Sequence, residues 1–287
     1  ESITIRKAVI NQAINYIFEH IDEDITVEDV AKYCSYSKYH LMRMFKEDMD
    51  EALYQFIKRV RLERSAWRLK VEKERSITEI GETYGYSSSN FATAFKKHLD
   101  ISPADYRRSS EQMVEDSSFS HGMTLDDLDD AGSKITVEYL TTFTVLYERK
   151  KGNYHNMSDE WCDFIEKYRY LATKDTLYID CTIDDPSITD EDGCMYELCQ
   201  TVIPDHPVLK DHPEILLHDF EGGKYAVYHF KGVPQLLFMV YQEIFCRWLS
   251  KTGNEIDERP IIDIYRKIEE DGYMEIDICF PLKTKQS

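Results

Sequence analysis

The sequence predicts a multidomain chain: an all-α double helix-turn-helix domain, followed by an α+β domain made of a duplicated β-β-α-β-β unit. Three observations carry this expectation. Residues 36–46 (YSKYHLMRMFK) and 86–96 (YSSSNFATAFK) share their ends and their length at a spacing of 50 residues. An acidic stretch at 109–132 separates two textures of sequence. Beyond it, strand-like and helix-like segments recur after about 80 residues.

The first part, residues 1–108, opens with Ala8, Val9, Ala13, Ile14, Ile17 and Phe18 at helical spacing from Thr4 to His20. Thr26 followed by Asp29 predicts a capped helix start, with Val27, Val30 and Ala31 on its apolar face. After a break at Ser35-Tyr36, Ser37 can cap a second helix whose inward positions are Leu41, Met44 and Phe45. A short helix, a tight turn and a second helix make one helix-turn-helix unit at about 26–46. Shifted by 50, Ser76-Ile77, Ile80-Gly81, Gly85-Tyr86 and Phe95-Lys96 repeat it at about 76–97. Residues 53–70 predict a long connecting helix with Phe56, Val60, Ala66 and Leu69 buried. Residues that match between the copies are those that pack, and residues that differ are those a helix turns outward.

Residues 109–132 hold seven acids and no Lys or Arg, and predict a flexible linker. After it, 134–140 and 143–152 predict strands, 159–171 a helix, and 176–184 and 194–203 two more strands. The order returns as 214–220, 224–232, a helix at 234–249, 260–268 and 273–283. Gly152 and Gly232, each ending the second strand of its copy, lie one repeat apart.

Charge divides along the same boundary. Residues 1–110 contain 18 Lys+Arg and 18 Asp+Glu, whereas 111–287 contain 17 against 36, so the whole net charge of −19 sits in the second part. The two parts are expected to meet different partners. No run approaches a membrane-spanning length, and ESITIRKAVI lacks an apolar signal core, so a cytoplasmic location and no membrane partner are expected. Seven irregularly spaced cysteines predict reduced thiols. Cys194 and Cys199 lack His or Cys neighbours at zinc spacing, so neither metal nor cofactor is expected. No nucleophile elbow, HExxH or Cys-His series points to an enzyme.

Residues 5–108 resemble the DNA-binding domain of the AraC/XylS family of transcription regulators. The series Ile80, Gly85-Tyr86, Phe91, Phe95-Lys96-Lys97, Ser102-Pro103 and Tyr106-Arg107 carries the resemblance. It implies that each second helix enters one of two successive major-groove segments of double-stranded promoter DNA. The expected DNA-contacting residues in the first unit are Ser37, Lys38, Tyr39, His40, Met42, Arg43 and Lys46. Arg43 is the expected base reader, since a guanidinium donates two bonds to guanine. His40 and Lys46 are expected near phosphates. In the second unit the corresponding residues are Ser88, Ser89, Asn90, Thr93, Lys96 and Lys97, a short and mostly uncharged surface. Lys58, Arg59, Arg61, Arg64 and Arg68 on the connecting helix offer further phosphate contacts, or else pair with Glu51, Glu63 or Glu72.

Residues 133–287 are similar to the GyrI-like effector-binding domain, through Gly223–Gly232, Trp248-Leu249, the Pro260-x-x-Asp263-x-Tyr265 pattern and Phe280-Pro281-Leu282-Lys283. Together the two resemblances imply a ligand-responsive regulator, and the AraC/XylS resemblance implies an activator rather than a repressor, with RNA polymerase as a further partner. Its effector is expected to be an amphipathic, cationic aromatic molecule held by an acidic residue among ring faces. Asp263 stands where the family often has Glu, and Glu275 is a second candidate. Tyr147, Trp161, Tyr228, Phe238, Tyr241 and Tyr265 are the candidate walls. The competing expectations are a small-molecule hydrolase and a protein-binding module.

Overall fold

The computed structural model describes residues 3–110, 124–269 and 272–284. It divides into two compact units, Glu1–Glu111 and Gln112–Ser287. Among the described residues no helix is long and apolar enough to cross a membrane.

The first unit is helical: α1 (Ile3–Glu19), α2 (Val27–Tyr33), α3 (Lys38–Met49), α4 (Leu53–Val71), α5 (Ile77–Thr83), α6 (Ser88–Leu99) and α7 (103–110). The 50-residue repeat extends to backbone detail. Thr26 and Ser76 each accept from the third helical N–H, while Asp29 and Glu79 return a bond to the cap backbone. Each such cap contributes about 1 kcal/mol. Within the turns, Tyr36 N donates to Ala31 O and Tyr86 N to Gly81 O, both at 3.0 Å. Ser35 (φ 59°) and Gly85 (φ 79°) take the same left-handed position, which glycine adopts without the steric cost that serine bears. Asp50 and Asp100, also left-handed, end α3 and α6. Phe45 meets Phe56, and Phe95 meets Tyr106, edge to face at 5.2 and 5.5 Å.

The second unit is one eight-stranded antiparallel sheet with helices on one face. Its strands are β1 (Thr136–Leu140), β2 (Phe143–Lys151), β3 (Tyr178–Thr182), β4 (Met195–Thr201), β5 (Leu216–Phe220), β6 (Gly223–Gly232), β7 (Ile262–Ile268) and β8 (Met274–Pro281). The order β1-β6-β8-β7-β3-β4-β2-β5 reads the same when the two repeats are exchanged. Each repeat therefore lends its first strand to the other's edge: β1 pairs with β6 and β5 with β2. The centre of this pseudo-two-fold is the β3–β7 pair, where Asp180 faces Asp263.

One face of the sheet, with Val145, Ile179, Cys199, Val227, Ile262 and Ile264 among its buried residues, gathers strand side chains alone into a core, as a curled sheet can. The other is covered by α9 (Met157–Tyr168), whose Phe164 and Tyr168 pack on Leu146, Tyr196 and Leu198. A composite helix covers it too: α11 (Leu237–Met239), a π-helical turn (Val240–Ile244) and α12 (Phe245–Thr252). Phe245 stacks on Phe280 at 3.8 Å. A five-residue helix, α10 (Pro207–Asp211), precedes β5.

The expected linker is corrected at its C-terminal end. Leu125–Ser133 forms a helix, α8, that packs on α12 and the π turn, with Gly132 close to the Ile244 carbonyl. Thr124 and Asp127 form its capping box. Acidic residues in its first turn favour the positive end of the helix dipole, so the charge read as a mark of disorder supports a helix start. Residues 111–123 lie outside the described residues.

Candidate functional sites

On α3, Tyr39, Met42, Arg43 and Lys46 follow the i, i+3, i+4, i+7 spacing of one helix face. Tyr39 is 82 % exposed, Arg43 and Lys46 are exposed, and Met42 is half-buried. Arg43 forms no ion pair among the described residues. Lys38 is ion-paired with Glu28 of α2, and His40 packs edge-on against Tyr36 at 5.2 Å. Ser37 accepts from the His40 N–H, so its hydroxyl is the cap. Arg6 of α1 binds Glu47 at 2.8 Å, Asp48 at 2.6 Å and the Met44 carbonyl at 3.2 Å, holding the C-terminal half of α3.

On α6, Ser88, Ser89, Asn90, Thr93, Lys96 and Lys97 are all exposed. The Thr93 hydroxyl donates to the Ser89 carbonyl at 3.0 Å, and Asn90 is the exposed amide of this surface. Of the five candidate basic residues on α4, Arg59, Arg61, Arg64 and Arg68 belong to the scaffold. Arg59 binds Glu51 and Glu63. Arg61 donates to the Ile21 and Glu23 carbonyls, and Arg64 lies over the Phe18 ring. Arg68, 2 % exposed, binds Glu72 at 2.8 Å and Tyr84 at 3.1 Å. The second of the two expectations for these side chains, internal pairing, is therefore the one realised for Arg59 and Arg68.

In the second unit, the structure brings Trp161, Tyr241, Asp263 and Tyr265 together and adds a residue that sequence reasoning missed. Asp180 and Asp263, each 3 % exposed, are cross-strand partners on the helix-covered face. Tyr265 Oη donates to Asp180 Oδ2 at 2.6 Å, and Tyr241 Oη donates to Asp263 Oδ2. The Trp161 ring lies edge-on to Tyr265 at 5.5 Å and to Tyr178 at 6.2 Å. Trp161 and Tyr241 are themselves repeat counterparts, eighty residues apart. The π turn inserts an extra residue per turn where it carries Tyr241, and such turns are frequent at functional sites.

The electrostatics of the pair are unusual. No lysine, arginine or histidine among the described residues forms an ion pair with either aspartate. Burial pushes the Asp180 carboxyl up to about 6. Burial and then the neighbouring Asp180 charge hold Asp263 well above the usual carboxylate range. Burial likewise pushes the Tyr241 and Tyr265 hydroxyls up, so both stay protonated donors. Asp180 Oδ1, Asp263 Oδ1, the Trp161 indole N–H and Gln200 Oε1 are buried without a hydrogen-bond partner. Each such atom costs about 1–3 kcal/mol.

The remaining candidates lie elsewhere. Tyr147 belongs to the opposite face, where its ring meets His218 at 4.5 Å and the Arg149 guanidinium at 5.4 Å. Glu275 also points to that face, one residue out of phase with Ile276, and binds Lys231 at 3.3 Å. Tyr228 shares the face of Asp263, but Ile278 on the intervening strand separates them. Phe238 lies in α11, and its side chain is outside those described. Glu197, Cys199 and His218 place ligand-type atoms within 4.8 Å of one another. Their chemistry is that of an ion pair: Glu197 binds Arg149 at 2.6 Å and His218 at 2.9 Å, and burial raises the Cys199 thiol well above its usual range. All seven cysteines are free thiols.

Two protein-family profiles match the chain. One, described as a helix-turn-helix domain, covers residues 30–109. The other, described as a GyrI-like small molecule binding domain, covers residues 133–283. The regulatory protein SoxS of Salmonella typhimurium is 37 % identical over 100 residues, which cover 34 % of this chain and 92 % of SoxS. The transcriptional regulator Rob of the same organism is 38 % identical over 104 residues, 36 % of each chain. The match thus spans about a third of Rob. The C-terminal domain of AraT, a response regulator from Geobacillus stearothermophilus, is 35 % identical over 35 % of this chain and 84 % of its own, with a TM-score of 0.34.

Proposed function

Since the chain belongs to the AraC/XylS family of transcriptional regulators and carries a GyrI-like small-molecule-binding domain, we propose that it is an activator switched by an amphipathic aromatic cation. The observation that carries this reading is the buried carboxyl pair, which has no cationic partner among the described residues, under the half-buried rings of Trp161, Tyr241 and Tyr265. An incoming organic cation supplies the missing charge, and ring faces add cation–π attraction of about 0.5–2 kcal/mol. Glu275 and Tyr147 leave the proposed ligand set, and Asp180 enters it.

In the first unit, α3 supplies base recognition through Arg43, with Tyr39 and Met42 in apolar contact and Lys46 near phosphate. In α6, Asn90 and Thr93 supply weaker base contacts, with Ser88 and Ser89 beside them and Lys96 and Lys97 near phosphate. RNA polymerase is the proposed downstream partner of the DNA-bound protein.

Thermal-shift screening with aromatic cations and matched neutral analogues tests the effector class, since a ligand of the folded state raises apparent stability. Cations should raise the melting temperature and neutral analogues should not. Equal shifts from both would sink the charge-based reading. Recovery of chemically altered ligand would instead identify a hydrolase.

A further inference from the structure

The two aspartates occupy a special place in the duplicated fold. Asp180 in the first repeat and Asp263 in the second are each other's counterparts, and the β3–β7 register sets them directly opposite. A single carboxylate suffices to attract a monocation. Here the fold buries two, on the axis relating its halves, and other residues satisfy only one oxygen of each: Oδ2 by a tyrosine hydroxyl, while no other residue donates to Oδ1.

The surroundings determine what charge this pair can hold. Tyr265 on β7 and Tyr241 on the π turn face the carboxyls as neutral donors. Trp161 on α9 presents its indole edge beside Tyr265. From the flanking strands, Leu198 of β4 and Ile278 of β8 are the register partners of Asp180 and Asp263. Glu243, on the same π turn as Tyr241, is buried and adds no positive charge. Two adjacent buried carboxylates cannot both ionise cheaply without a counter-charge, so one proton is retained between them. The direction of both titrations agrees, with Asp180 brought to about 6 and Asp263 higher still. Near neutral pH the empty pair thus carries about one negative charge.

Resting on the reading of this face as the effector site, we propose that Asp180 and Asp263 form a receptor of adjustable charge, which accepts aromatic monocations with its proton retained and aromatic dications with that proton expelled. On dication binding the remaining carboxyl O–H bond breaks, the electron pair stays on the oxygen, and the proton passes to solvent. Asp263, which holds that proton, is then the residue that extends the ligand range from one positive charge to two. Asp180, the carboxyl ionised first, is the one both classes share.

The test uses the full chain without DNA and three probes built on one ring system: ethidium, a monocation; propidium, a dication; and the neutral diaminophenylphenanthridine base. Isothermal titration at pH 7 in buffers of different ionisation enthalpy counts the protons exchanged. Propidium should release close to one proton per site and ethidium far fewer. Asp263→Asn should weaken propidium at least about tenfold and abolish its proton release, while ethidium changes less than about threefold. Absence of propidium-linked proton release from the wild-type protein overturns the inference without recourse to any variant. So does equal weakening of both cations by Asp263→Asn, even where ethidium binding remains dependent on Asp180. If neither cation binds, or the neutral base binds as tightly as ethidium, the effector reading itself fails and the inference falls with it.

Discussion

Arg43 and Lys38 are both cations on α3, put to different uses. Lys38 spends its charge on Glu28, whereas Arg43 stands exposed on the outward face. Arg43→Ala should therefore cost about 1–3 kcal/mol of specific DNA binding, the worth of a bidentate base contact. Lys38→Ala should leave sequence preference unchanged. Fluorescence anisotropy against matched and scrambled promoter fragments checks both. The buried acids give a pH prediction. A carboxyl raised in the folded state binds protons that the unfolded chain has released, so stability is greatest below the unfolded value of about 4 and falls as pH climbs through 6. At about 1.4 kcal/mol per pKa unit, the Asp180 contribution is at most about 3 kcal/mol. Asp180→Asn should flatten this decline in denaturant melts between pH 4 and 7. Glu197 acts in the opposite sense. Burial alone would raise its carboxyl, but Arg149 and His218 outweigh it and bring it to about 2. The stability it contributes is lost as pH falls from about 4.5 towards 2. Asp263 was legible in the sequence because it sits in a family pattern. Asp180 was not, because an acid within TLYIDCTID acquires meaning only when β3 pairs with β7, some eighty residues away.

Among the elements, the two helix-turn-helix units solve one packing problem in different ways. At the contact between the two helices, the first unit sets Ala31 in the position of Gly81 and Leu41 in that of Phe91. A Cβ on Gly81 would lie 2.8 Å from the Phe91 ring, so the larger ring requires the smaller partner. Gly81→Ala should destabilise the helical domain, residues 1–108, by about 1–3 kcal/mol, the usual cost of overpacking. Adding Phe91→Leu should restore much of that loss in thermal melts, and failure of the double variant to recover would contradict the pairing. The capping boxes, turns and helix limits of this unit were readable because they are set by local chemistry. The fate of the arginines on α4 was not, because a helix face shows which residues point together and not which acids reach them. Helix α8 was misread for the reason that its dense acids outweighed a Thr-x-x-Asp start signal. The π turn has no sequence signature at all, and it carries Tyr241 to Asp263.

Across the second unit, topology determines what can be removed. Because β1 completes the second repeat and β5 the first, neither repeat encloses its own edge. A chain ending after β4 leaves β2 with an unpaired edge, an invitation to self-association. Residues 133–213 alone should therefore fail to form a folded monomer, whereas 133–284 should give a cooperative melt. Circular dichroism and size-exclusion chromatography distinguish these outcomes. A monomeric, cooperatively folding half would show that the exchanged strands are dispensable. The recurrence of β-β-α-β-β was visible in the sequence. The exchange was not, since an alternation of apolar and polar residues names a strand without naming its neighbour.

The placement of Asp180 opposite Asp263 has a consequence for inheritance. In an unduplicated ancestor, two copies of the chain would have met at this same axis, and one codon would have specified both carboxyls. No change could then have touched one acid without touching the other. In this chain the two repeats carry them on two separate codons. Trp161 and Tyr241, now different residues in equivalent places, record the freedom this gave. A descendant of this chain can alter the charge it prefers by a substitution on one side of the axis, while the other side keeps the site in use.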